Sequence, residues 1–137
     1  MLLTEKALML ISHIKSEVIS VNAKKILSEI EAMHYWDARV LKFDSSFFGD
    51  EITLVFEDTE FNVKLSFMGC SSFSFVTSTD DRIMPLRELT RPQIPYFLQD
   101  IEVTDVLSEG HRLLNCKIIM PPLNAEILCT SISIEKI

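Results

Sequence analysis

The stretch "HYWDARVLKFD", residues 34–44, gathers residue types that move protons. His34 and Asp37 stand three apart, beside Arg39 and Trp36, the only tryptophan of the chain. A carboxylate that orients an imidazole makes a general base, but catalysis then needs a nucleophile and an oxyanion-binding group to complete the set. The chain has no G-x-S-x-G, no reactive-cysteine signature and no second acid that stands out. The pair also falls where a helical pattern changes to a strand pattern, and polar side chains there often hydrogen-bond loose backbone groups. It is read first as a structural corner, with partner contact and catalysis as the other readings.

The remaining candidates for chemistry are weaker. His13, His34, His111, Cys70, Cys116 and Cys129 show no C-x2-C or H-x3-H ligand spacing, so no metal is expected. Cys116 and Cys129 lie inside apolar runs, where a free thiol behaves as a small hydrophobe. Only Gly49, Gly69 and Gly110 exist, each isolated, which excludes a P-loop or dinucleotide fingerprint. No cofactor is expected. Among 20 acidic residues some pair always suits glycoside hydrolysis, and nothing selects one. The chain is read as a non-enzyme.

The acidic residues carry more information by their distribution. Asp50 and Glu51, then Glu57, Asp58 and Glu60, then Asp80 and Asp81 all fall at strand ends and turns. In an antiparallel meander, alternate turns share an end of the sheet. Glu57, Asp58, Glu60, Asp80 and Asp81 are then expected to cluster at one end, with Asp50 and Glu51 at the other. Such a cluster is a solvated rim, or an electrostatic surface for a basic protein.

The elements that position these groups follow from periodicity. Ala7, Leu10, Ile11, Ile14, Val18 and Val21 recur at helical spacing with Thr4 as a possible N-cap, and Ala23, Ile26, Ile30 and Met33 repeat the pattern after Asn22. One bent helix or a helix pair is expected over residues 1–36. From Arg39 the period becomes two. "RVLKFD", "ITLVFE", "FNVKLSF" and "SSFSFVT" are expected to form a four-strand meander, with Phe73 and Phe75 inward. "STDDRIMPLRELTRPQIP" reads as a long loop with a helical turn around Leu86–Leu89. "YFLQDIEVTDV", "LLNCKIIM" and one long final strand in "AEILCTSISIEKI" complete about seven strands. The expected fold is α+β: a helical start, then a strongly bent, mainly antiparallel sheet or small sandwich over residues 37–137, forming a single domain of 137 residues.

Composition bounds the partners. A net charge of −7 argues against direct nucleic-acid binding, which needs Lys and Arg to replace counterions. No apolar run approaches the ~20 residues of a transmembrane helix, and Glu5 and Lys6 interrupt the apolar N-terminus, so neither a membrane span nor a signal peptide is expected. Three cysteines make an odd count without C-x-x-C, which points to a reducing, cytoplasmic setting.

The layout resembles a loose group of small bacterial proteins that includes immunity proteins of toxin systems. Their pattern is a His-Asp-small-Arg-aliphatic step into the first strand, an alternating hairpin, and an L-x-F ahead of another strand. It is matched here by "WDARVLKFD", "ITLVFEDTEFNVKLSF", "YFLQDIEV" and "PPLNAEILCTSISIEKI", covering about residues 34–137. Trp36 stands where the pattern has His, with His34 two residues earlier, so only Asp37 and Arg39 carry over. The resemblance implies that these two brace a corner, Asp37 accepting backbone N–H bonds and Arg39 pairing with a carboxylate. It implies an immunity protein that binds and neutralises a cognate toxin domain, a basic nuclease of contact-dependent growth inhibition, by occluding its active site. Glu57, Asp58, Glu60, Asp80 and Asp81 are the expected contacts. The alternatives are a small-ligand-binding or enzymatic domain using the concave face of the sheet, and a homo-oligomeric structural protein.

Overall fold

The computed structural model describes residues 22–80, 82 and 84–137. The helix expected over residues 4–21, and Asp81, lie outside the described residues.

Residues 22–31 are helical and turn Ala23, Ile26 and Ile30 into the core, as their spacing requires. Asn22, read as a possible cap, is itself helical. Eight strands follow: β1 (Val40–Ser46), β2 (Glu51–Glu57), β3 (Asn62–Met68), β4 (Ser72–Val76), β5 (Asp100–Ser108), β6 (His111–Met120), β7 (Leu123–Cys129) and β8 (Ser131–Lys136). They form two four-stranded antiparallel sheets, in the orders β1-β2-β3-β8 and β4-β7-β6-β5. The turn expected near Leu86–Leu89 is a 3-10 turn over Leu86–Glu88.

Two expectations are corrected. The four-strand meander holds only through β3, because β4 belongs to the other sheet and β8 takes the place beside β3. The long final strand is two strands, β7 and β8, divided at Thr130, which makes the count eight among the described residues. Both corrections have one cause. Gly69, at φ +63, turns the chain out of β3, and Ser71 N–H donates to the Leu128 carbonyl of β7 at 2.8 Å. Thr130 crosses back beside it: its N–H and hydroxyl both donate to the Met68 carbonyl, at 3.0 and 2.9 Å. The two crossings thus form one corner at which strands change sheets.

The inner faces of the sheets share a single apolar core. Ile52, Leu54 and Phe56 of β2, Val63, Leu65 and Phe67 of β3, Ile118 of β6 and Ile127 of β7 are all buried in it. Burial of each such side chain stabilises by ~1.5–3 kcal/mol. The alternation in "FNVKLSF" is the sequence pattern of this half-buried face.

Candidate functional site

The opening stretch is built as a corner. His34 N–H donates to the Glu31 carbonyl at 3.0 Å to end the helix, and His34 and Asp37 take left-handed backbone angles, φ +52 and +64. Histidine and aspartate are enriched in that region among non-glycine residues. The two turns drive Tyr35 inward until it is 1% exposed, while Trp36 stacks on its ring at 4.4 Å from outside. The Tyr35 hydroxyl accepts the Ile101 N–H at 3.0 Å and donates to Asp100 Oδ1 at 3.5 Å, tying the helix end to β5. Burial, more than any neighbouring group, pushes the Tyr35 phenol above its ordinary pKa.

Asp37 enters this corner through its backbone, its N–H donating to the Leu98 carbonyl at 2.7 Å. Arg39 enters through its side chain: Nε donates to the Ile94 carbonyl at 3.2 Å, and the guanidinium carbon lies 4.9 Å from the Phe97 ring centroid. Its Nη1 stands 3.6 Å from Glu57 Oε1. Among the described residues, no hydrogen bond joins His34 to Asp37.

Glu57 is drawn into the same network from β2. Arg91 Nε donates to its Oε1 at 2.7 Å while Arg91 Nη2 reaches Asn62 Oδ1 at 3.2 Å. The Arg91 hydrogen bond is the largest of the influences that hold the Glu57 carboxyl below the usual range. Asp58 Oδ1 accepts the Thr59 N–H at 2.7 Å, and Asp58 N–H donates to the Phe61 carbonyl, closing the β2–β3 turn. Glu60 is exposed on that turn.

Asp80 is exposed in the loop after β4, its N–H donating to Ser78 Oγ at 3.2 Å. That loop leaves the second sheet at the end where Glu57 lies. Thr77 and Tyr96 hydroxyls are 3.2 Å apart, and the Tyr96 carbonyl accepts the Val40 N–H, opposite Phe56.

Three features escaped the sequence reading. The first is the β1–β2 tip, where consecutive Phe47, Phe48 and Gly49 all have left-handed φ, +53, +59 and +89. Phe47 is 71% exposed and Phe48 wholly so, with Asp50 and Glu51 just beyond Gly49. The signal was present in "SSFFGDE": paired phenylalanines where a turn is ordinarily polar. The second is the outer face of the β4-β7-β6-β5 sheet. There the register sets Glu102 opposite Lys117 and Lys117 opposite Glu126, with Asp100 one row away. The pattern was visible only as alternation along β5, since β7's position beside β6 brings Glu126 to the row.

The third is a cleft of about 880 Å³ between the edge strands β1 and β4, lined by Phe43, Phe73 and Phe75 with Arg82 and Arg87. Phe73 meets Phe43 edge-on at 5.6 Å. Phe75, expected inward, is 52% exposed, because β4 is an edge strand beside an open cleft. The inner faces of the sheets are filled by core side chains, and this opening lies at an edge. Among the described residues, no three His, Cys, Asp or Glu side chains are placed to hold a metal ion.

The family model described as immunity protein PIM7 matches residues 22–136 of the chain. No curated protein matches the sequence.

Proposed function

The chain belongs to the immunity protein PIM7 family, and we propose that it neutralises a cognate toxin domain, a basic nuclease, by covering that enzyme's active-site cleft. The family match over residues 22–136 carries the reading. The net charge of −7 supports the nuclease, because a cleft that binds nucleic acid is lined by Lys and Arg and attracts an acidic surface. No chemistry is required of the inhibitor. It binds in the cytoplasm and buries roughly 800 Å² per partner around a few anchors.

In this reading the exposed carboxylates of the β2–β3 turn, with Asp80 and Asp81 after β4, steer the encounter. Glu57 serves the fold as well, through Arg91 and Arg39. Charges at the rim of an interface set association rate and its salt dependence more than affinity. Replacing Asp58 and Glu60 with Ser is expected to slow association and flatten its dependence on ionic strength. Stopped-flow mixing with the domain encoded immediately upstream, the expected toxin, tests this, and unchanged rates would show that the turn does not steer the encounter. The proposal as a whole is tested by co-expressing that domain with a tagged copy of this chain and measuring co-purification at low and high salt.

A further inference from the structure

We propose that the β1–β2 tip, Phe47 and Phe48, is the anchor of the interface, and that it seats in an apolar pocket of the toxin domain rimmed by Lys or Arg. The inference rests on the immunity reading above and adds which end of the molecule docks. Two adjacent phenylalanines at left-handed φ are unfavourable twice over. Each backbone costs ~1–2 kcal/mol relative to an ordinary one, and each ring lies in water. Among the described residues nothing requires it: the rings are not in the core, and the neighbouring strands β1 and β2 are already paired from Ser46 to Glu51. Gly would make the same turn without strain, and Asn with less of it. Strain of this kind is characteristic of sites held ready for a partner.

The chemistry of the partner follows from what surrounds the rings. Asp50 and Glu51 follow them after Gly49, and the sequence carries no Lys or Arg between Lys42 and Lys64. Exposed aromatic side chains inside a rim of one charge match an apolar pocket inside a rim of the other. The Glu57–Glu60 turn stands at the opposite end of β2, six residue steps away, or about 20 Å at the usual strand rise. An interface centred on the tip thus leaves that turn at its periphery. The two ends have separable duties: the tip governs dissociation and the distant carboxylates govern association.

The test replaces Phe47 and Phe48 with Asn, which tolerates the left-handed backbone, in the full-length protein. Binding to the inactivated upstream toxin domain is followed by surface plasmon resonance, and thermal melting is recorded in parallel. The expected result is a dissociation rate raised about thirtyfold or more, the scale of an interface hot spot, with an association rate changed less than threefold and an unchanged or higher Tm. A lower Tm would show the rings to be structural and overturn the inference. Wild-type kinetics in the double variant, with the wild type itself binding, would overturn the anchor and leave the immunity reading standing. Absence of binding by the wild type would overturn both.

Discussion

Gly69→Ala is expected to be among the most damaging single-methyl additions in this fold. Gly69 lies at φ +63, where an alanine is strained by ~1–2 kcal/mol. A Cβ there would also overlap Thr130 Oγ1 and stand 3.2 Å from Thr130 Cβ and Cγ2. Thr130 can yield only by rotating its hydroxyl away from the Met68 carbonyl, now 2.9 Å distant, at a loss of ~1 kcal/mol. Against this, alanine restricts the unfolded chain and recovers ~0.4–1 kcal/mol. The net loss is about 2 kcal/mol, or a Tm lowered by about 6–10 °C for a chain of this size.

Gly49→Ala is the matched control, since Gly49 has φ +89 with nothing within 4 Å of its Cβ position. It carries the strain without the collision and is expected to cost about half as much. Urea unfolding of G69A, T130A and the double variant completes the cycle, with a coupling of ~1 kcal/mol expected because the threonine is the obstacle. Equal losses in G69A and G49A, or strict additivity with T130A, would refute the claim that the two sheet crossings are packed against each other.

Glu57→Gln is expected to lower stability near neutral pH by at most ~1 kcal/mol, as the ion pairs are partly exposed. Because the folded carboxyl titrates below its unfolded value of ~4.3, that contribution is present above this pH and disappears as pH falls through the folded value. Urea unfolding of both proteins from pH 6 to 3 should therefore converge at the acid end, and a constant difference would contradict the assignment. Tyr35→Phe strands the Ile101 N–H in the interior and is expected to cost ~1–3 kcal/mol by thermal denaturation; a neutral effect would mean the hydroxyl is not what joins the helix end to β5. Burial pushes the Cys129 thiol up to about 12 and raises Cys116 further, so a thiol reagent at pH 7.5 should label only the partly exposed Cys70 in the folded protein and all three in urea. Rapid labelling of more than one thiol without denaturant would show that the core is more open than described.

Most of the strand set was legible because its cause is local. Alternation in "FNVKLSF" or "ITLVFE" follows from a sheet with one face in water, and each such run became a strand. Which strand lies beside which is not local. The chain crosses between sheets at Gly69 and Thr130, and neither residue announces that its neighbour in space is the other. The same limit hid the row of Glu102, Lys117 and Glu126, whose members come from three strands. At the corner, the residue types of "HYWDAR" pointed to a junction, but not to Tyr35 as the buried member, since a tyrosine beside a tryptophan gives no sign of which ring turns inward. The exposed Phe47 and Phe48 run against the polar character of turns, and apolar residues in a sequence point first to the core.

Neutralisation of a toxin is the central property proposed for this protein. The most direct measurement is to titrate this protein into the proposed nuclease toxin, sought in the domain encoded immediately upstream, and to follow degradation of nucleic acid by that domain. Degradation is expected to stop at about one equivalent, the stoichiometry of a protein that covers one active site. A toxin domain that remains fully active in a large molar excess of this protein would contradict it.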